Sequence, residues 1–317
     1  MGIKTRKIVI VGSGNVGSHC AFSLAIQGVC DEIVMIDKLE EKANAEAIDL
    51  SDTVSYLPHY VKSKKGTFKD CKDADIIVVS LGVPPEVNKS RLEFLKETIR
   101  EIDTIINPIL ESGFNGIFIV ISNPVDIIAY YIWKKTRFPK NKVFGTGTTL
   151  DSSRLRRILS YETGIDQKSI QAYSMGEHGD SQMVPWSHVY FGGKPLFDLM
   201  KEKADTYGKL NLEELNYRTA NAANEIIVGK RCTEFGISVG LTEIVKAIYH
   251  DEKKILPAST LLEGQYNQNN LFASVPVVMG KDGIEEIIEI KLTDDEQKKF
   301  NTSCAVLKEY INKAKTL

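Results

Sequence analysis

The sequence lacks the features that would mark a specialised environment. No run in its 317 residues approaches the roughly 18 consecutive apolar residues of a membrane-crossing helix, so no membrane partner is expected. It has no surplus of either charge. A net charge of -2 and a pI near 6.3 give no electrostatic footprint for nucleic acid or an anionic lipid surface. Cysteine is sparse: Cys20, Cys30, Cys71, Cys232 and Cys304 are odd in number, scattered, and contain no C-x-x-C. That argues against a disulfide frame or a zinc site and for free thiols in a reducing compartment. The segment Met1–Lys7 runs straight into an aliphatic stretch, leaving no room for a signal-peptide apolar region. Arg6 stands where a myristoylation signal wants Ser or Thr. A cytoplasmic location is expected. There is no internal repeat and no low-complexity linker, so the two domains that the length suggests should pack tightly.

What is present is ordinary globular composition, 43% hydrophobic and 26% charged. The first half alternates short aliphatic runs with helical patterns. Strands are expected at Ile8–Val11, Ile33–Ile36, Ile76–Ser80, Ile117–Ile121 and Lys142–Phe144, apolar on both faces as buried parallel strands must be. A helix over Val16–Gln27 has Val16, Cys20 and Leu24 on one face and Gly28 as its stop. The alternation predicts an α/β fold, a Rossmann-type doubly wound parallel sheet over residues 1–146. Residues 147–317 read as an α+β substrate domain. Met183–Tyr190 and Ala273–Met279 suggest antiparallel strands, and Leu212–Val228 and Thr233–His250 suggest long helices. A last helix opens on a Thr293/Glu296 capping box, with Phe300, Cys304, Leu307 and Ile311 as its buried stripe.

Gly12-Ser13-Gly14-Asn15-Val16-Gly17 follows the first strand and opens the first helix. In that context Gly12 permits the tight turn, Gly14 lets a pyrophosphate approach the backbone, and Gly17 lets helix and strand pack closely. The helix start offers unpaired N–H groups to phosphate. Asp37 ends the second strand, where a carboxylate accepts hydrogen bonds from adenosine ribose hydroxyls and repels a 2′-phosphate, favouring NAD over NADP. Later strand ends carrying Gly82, Ile121 and Asn123 should border the same crevice. The expected cofactor set is Gly12, Gly14, Asn15, Val16, Gly17, Asp37, Gly82, Ile121 and Asn123. No metal is needed.

Asp151, Leu155 and Ile158 share one face of a predicted helix, with Arg154 at its edge. An isolated Asp151–Arg154 pair reads most simply as a surface ion pair of about 0.2–0.5 kcal/mol. Other residues change that reading. His178 lies between glycines in Gly176-Glu177-His178-Gly179-Asp180, open to approach, and Arg91 follows a loop with two prolines. The four side chains are what oxidation of a 2-hydroxy acid requires. An imidazole takes the hydroxyl proton and a carboxylate orients it. One guanidinium grips the substrate carboxylate, and another polarises the C2 oxygen.

The motifs Gly12–Gly17, Ser90-Arg91-Leu92, Ile121-Ser122-Asn123-Pro124-Val125-Asp126, Gly145–Asp151, Arg154 and Gly176–Asp180, in this order, resemble those of the lactate/malate dehydrogenase superfamily along essentially the whole chain. The resemblance implies His178 as proton acceptor, Asp151 as its partner, Arg154 on the substrate carboxylate, Arg91 on a closing loop and Asn123 near both ligands. It also implies NAD, L-stereochemistry, a small 2-hydroxy or 2-oxo acid, and a homotetramer or homodimer.

Six positions before Arg91, malate enzymes of this superfamily carry arginine and lactate enzymes usually glutamine; here stands Pro85. Without that cation a buried second carboxylate lacks its partner. Small residues at Ala222, Ala223 and Thr233 match pocket positions and leave room for a larger aliphatic side chain. The expected order is lactate, then larger acids of the L-2-hydroxyisocaproate type, then malate. Arg156 matches half of the fructose 1,6-bisphosphate site of activated bacterial relatives, but Gln171 replaces its histidine, so little or no activation is expected. Two other classes compete. Tyr130-x-x-x-Lys134 matches the short-chain dehydrogenase pattern, and a dinucleotide-binding module would need only the glycines and Asp37.

Overall fold

The computed structural model describes residues 4–82 and 91–314, with Arg91, Leu92 and Glu93 described by backbone alone. The first unit runs β1 (Lys7–Val11), α1 (Asn15–Ile26), β2 (Glu32–Ile36), α2 (Glu40–Thr53), β3 (Lys62–Lys65), β4 (Ile76–Val79), α3 (Arg91–Glu111), β5 (Ile117–Val120), α4 (Val125–Thr136) and β6 (Val143–Gly145). Its strands pair in parallel in the order β3-β2-β1-β4-β5-β6. The central runs KIVIV, IIVV and IFIV are buried at every position because helices cover both faces. The order reverses between β1 and β4, which opens a ligand crevice at their carboxyl ends.

The sequence KSKK of β3 was not expected to form a strand. It has no apolar run, because it is an edge strand whose lysines lie on the rim; Lys64 reaches Glu32 at 3.3 Å and Asp70 at 2.8 Å.

The second unit begins with α5 (Thr149–Thr163) and continues β7 (Ile170–Gln171), β8 (Tyr190–Phe191), β9 (Lys194–Pro195), α6 (Leu196–Glu202), α7 (Leu212–Ala220), α8 (Ala222–Lys230), α9 (Phe235–Tyr249), β10 (Lys254–Glu263), β11 (Asn269–Gly280), β12 (Gly283–Ile287) and α10 (Asp294–Ala314). Strands β10–β12 form an antiparallel extension of the first sheet, joined to it where Ser259 pairs with Gly145. One apolar core therefore runs from the parallel sheet to β11 and α10. A second core, with Leu155, Leu159, Trp186 and Leu196, lies under α5 and α6. Helices α1 and α9 pack together, and Ser23 and Thr242 share a 2.8 Å hydrogen bond inside that contact.

Three expectations need correction. Met183–Tyr190 is not a strand: Met183 makes one bridge to Met175, and Pro185 then removes a ladder donor and Trp186–His188 turns as a 3-10 segment. Leu212–Val228 is two helices. Asn221 ends α7, where the Tyr217 carbonyl accepts both its backbone N–H and its side-chain amide, each at 3.0 Å. Helix α9 opens at Phe235, not Thr233, which leaves Thr233 in a loop. The capping box of α10 forms as expected: the Thr293 N–H donates to Glu296 at 2.9 Å, and the Glu296 N–H to the Thr293 hydroxyl at 3.3 Å.

Candidate active site

The glycine loop is shaped by contact on two sides and space on the third. Gly12 has φ of 100°, and a Cβ there would lie 2.4 Å from the Ser80 carbonyl oxygen. A Cβ on Gly17 would lie 1.9 Å from the Gly12 carbonyl oxygen. Gly14 and Gly82, by contrast, face open space within 4 Å. Helix α1 has no side-chain cap and no acidic residue in its first turn, so its leading N–H groups remain available to an anion. Asp37 accepts the Ser13 N–H at 2.7 Å and the Leu39 N–H at 3.0 Å. Those bonds fix the carboxylate at the rim and leave acceptor capacity for a ribose. Ile121 leaves β5 with its N–H on the Val79 carbonyl at 3.0 Å, and Val16 packs against the core. Asn15 donates its side-chain amide to Cys232 Sγ at 3.4 Å. The residues present fit an extended dinucleotide diphosphate.

Across the crevice, Asp151 lies in the first turn of α5 with its side chain 1% exposed. One oxygen accepts from Arg154 Nη1 at 3.0 Å and the other meets His178 Nδ1 at 2.5 Å. The Asp151–Arg154 pair is thus the expected i,i+3 pair, but buried and shared with an imidazole. Burial pushes Asp151 up, yet the charge and hydrogen bond of His178, then Arg154, outweigh it and hold the carboxyl below its ordinary value. Burial pulls His178 down, yet the charge and hydrogen bond of Asp151 hold the imidazole above its ordinary value. With Nδ1–H engaged, Nε2 is left to exchange a proton, and His178 keeps 23% side-chain exposure to do so. Arg154 commits one nitrogen to Asp151, leaving further donors of its fork for a carboxylate.

Strand β11 sets the two arms in register. Ser274 exchanges backbone hydrogen bonds with Gly176, and its hydroxyl accepts the Thr148 N–H at 3.0 Å at the head of α5. Gly176 has φ of 91°, and a Cβ there would strike Ser303 Oγ at 2.4 Å; that hydroxyl also accepts the Glu177 N–H at 2.8 Å. Ser274 and Ser303 were not singled out from sequence, because a lone serine in a strand or helix carries no local signal.

His178 and Asn123 line a cavity of about 230 Å³ with Phe94, Ile127 and Tyr310. Arg154, Ala222, Thr233 and Phe235 line a second of about 370 Å³. His178 and Arg154 therefore line different cavities and are linked by their shared bonds to the Asp151 carboxylate. Ala223 is not in either lining. Pro85 and the side chain of Arg91 lie outside the described residues.

Lys134 Nζ lies 5.7 Å from the Tyr130 ring centroid, but neither residue lines the His178 or the Arg154 cavity. Tyr130 packs beside Phe272 with its hydroxyl on Asn270 at 3.3 Å, and Lys134 lies 4.7 Å from the Trp133 ring centroid. Cys20, Cys30, Cys71 and Cys304 are buried, and burial pushes each thiol up to about 12. Among the described residues there is no cluster of three or more metal-ligating side chains and no helix long and apolar enough to cross a membrane.

Residues 6–145 match the family described as lactate/malate dehydrogenase, NAD binding domain, and residues 148–317 match lactate/malate dehydrogenase, alpha/beta C-terminal domain. The chain is 45% identical to an L-lactate dehydrogenase of Fusobacterium nucleatum over 99% of this chain and 98% of that protein. It is 44% identical to L-lactate dehydrogenase 3 of Bacillus cereus over 97% of each. The ligand-bound structure of the minor L-lactate dehydrogenase from Enterococcus mundtii superposes with a TM-score of 0.94 at 38% identity, covering 98% of both chains.

Proposed function

The chain belongs to the lactate/malate dehydrogenase family, and from that premise we propose that it interconverts L-lactate and pyruvate as an NAD-dependent L-2-hydroxy acid dehydrogenase. The observation that carries this reading is the buried Asp151 carboxylate bonded at once to the His178 imidazole and the Arg154 guanidinium. A neutral fold element gains nothing from burying three ionisable groups together; a proton-exchanging site needs them.

When bound, NAD would supply the hydride acceptor or donor for C2 of the substrate. The uncapped start of α1 and open Gly14 hold its pyrophosphate, and Asp37 holds its ribose. His178 Nε2 takes the hydroxyl proton during lactate oxidation and returns it to the C2 oxygen during pyruvate reduction. Asp151 keeps the proton-bearing Nδ1 turned inward and stabilises the imidazolium. Arg154 grips the substrate carboxylate with the donors that Asp151 leaves free. Arg91 polarises the C2 oxygen, and Asn123 lies beside the substrate and the nicotinamide. Thr233 and Ala222 face the substrate side chain. Residues 1–146 act as the cofactor domain and 147–317 as the substrate domain.

A homodimer or homotetramer is favoured by exposed apolar side chains on three adjoining helices: Phe22 and Ile26 on α1, Ile48 on α2, and Phe235 and Val239 on α9. Sedimentation that returns only monomer would exclude it. Free thiols support a cytoplasmic location, and the return of NADH to NAD by pyruvate reduction suits a fermentative role.

The test is NADH oxidation with pyruvate, 4-methyl-2-oxopentanoate and oxaloacetate. Pro85 and the small residues around Arg154 predict kcat/KM in that order, with oxaloacetate at least about 100-fold below pyruvate, the factor that about 3 kcal/mol for an unpaired buried charge implies. Comparable values for pyruvate and oxaloacetate would remove the assignment. In the same assay fructose 1,6-bisphosphate should leave the pyruvate KM unchanged. Arg156 makes no ion pair among the described residues, but the residue at 171 is an exposed Gln with no positive charge to complete an anion site.

A further inference from the structure

Asp126 is a buried carboxylate, 2% exposed, that the proposed reaction does not use. It lies in the first turn of α4, just after the cavity-lining Pro124. One oxygen accepts the backbone N–H of His178 at 2.8 Å. The other is buried and has no hydrogen-bond partner among the described residues, as is true of Ser259 Oγ. Asp126 therefore faces Ser259 of β10, His178 and Glu177 of the Gly176–Asp180 loop, and the Cys304 thiol of α10. Of these the Ser259 hydroxyl and the His178 N–H favour its charged form as dipoles, and a protonated imidazole is the one cation that does so. Asp151 of α5 acts on the same imidazole through Nδ1, and the Arg154 charge opposes both anions.

We propose that Asp126 is a positioning residue for the reaction, fixing the His178 backbone to the head of α4 and, as a second anion beside the imidazole, raising the pH at which His178 exchanges its proton. This rests on reading His178 as the base. Anchoring alone does not explain a carboxylate, since a neutral amide oxygen would accept the same N–H without the desolvation that a buried charge incurs. Burial pushes the Asp126 carboxyl up to about 6, so it is ionised around neutral pH, and the N-terminal dipole of α4 favours the charged form. Its negative charge adds to that of Asp151 in holding the imidazole above its ordinary value. Two anions then bracket His178, one on the ring and one on the backbone. Asn123, three residues before Asp126 and in the same cavity lining, is tied to the base by this link.

The test is Asp126→Asn, which keeps an acceptor for the His178 N–H and removes the charge. Pyruvate reduction needs the protonated imidazole and fails as pH rises through its pKa; lactate oxidation needs the neutral form and rises through the same pKa. Both limbs of kcat/KM should move to lower pH by about half a unit to one unit. At a pH above the limb, pyruvate reduction should fall about 3–10-fold, while lactate oxidation below it should rise by a similar factor. Loss in both directions with unmoved limbs, at unchanged NADH affinity, would mean a structural role only and would overturn the proposal. Should Asp126→Asn fail to bind NADH, Ser259→Ala removes the dipole facing Asp126 and should move the limbs the same way by less; limbs that stay in place overturn it equally. His178→Asn separates the two readings. If that variant keeps its activity the base assignment itself fails, whereas an inactive His178→Asn with unmoved Asp126→Asn limbs defeats only the role given to Asp126.

Discussion

Replacing Asp151 by Asn should lower kcat for pyruvate reduction by about 10²–10⁴-fold, the range that a correctly held general acid or base supplies. NADH affinity should change little, because the glycine loop and Asp37 lie on other elements. An amide at 151 can turn its donor toward Nδ1, and the imidazole then carries its proton on Nε2 when neutral, where the lactate hydroxyl should be received. Arg154 loses its charged partner in the same step. The shift in pH dependence has a definite sign. Asp151 holds the imidazole above its ordinary value, so removing the charge lets its pKa fall, and the pH at which pyruvate reduction fails should fall with it. Single-turnover measurements at saturating NADH give the chemical step directly. A kcat within tenfold of the parent, with unmoved pH limbs, would show that Asp151 is a buried structural acid and not the partner of the base.

The central sheet was legible in the sequence because its strands are buried on both faces and announce themselves as aliphatic runs. The glycine loop was legible because Gly12 and Gly17 are each demanded by a backbone atom nearer than a Cβ allows. The elements that hid are those whose conformation is decided elsewhere. Strand β3 is polar because its lysines are on an edge. The break at Asn221 falls at a polar residue whose side-chain amide also bonds the Tyr217 carbonyl, and the turn at Trp186–His188 is held by Glu296, whose carboxylate accepts the Ser187 N–H at 2.9 Å from 109 positions away. The site divides the same way. The motifs exposed the candidate site residues, and the structure brings Arg154 and His178 to one carboxylate, that of Asp151. What periodicity could not convey is how they are aimed: through Ser274, which ties the His178 loop to the head of α5, and through Asp126, which ends a motif yet acts on a backbone N–H 52 positions later.

Arg154→Lys should lower kcat/KM for pyruvate by about 10²–10³-fold, largely through KM. Lysine keeps one positive charge near Asp151, so the buried carboxylate is not left wholly unpaired. It loses the planar fork that meets two carboxylate oxygens while a third nitrogen stays on Asp151. Weakening a buried charged contact by about 3–4 kcal/mol corresponds to that factor. Substrate carboxylate is held before, during and after hydride transfer, so its loss removes uniform binding and appears in KM more than in kcat. The Asp151 change acts the other way, on kcat, because it alters the group that exchanges the proton. The two side chains share a 3.0 Å hydrogen bond, so their effects should not add: the double variant should fall well short of the product of the single losses. Additive losses would mean that the guanidinium and the carboxylate act independently, and the picture of one carboxylate organising both base and substrate anchor would have to be given up.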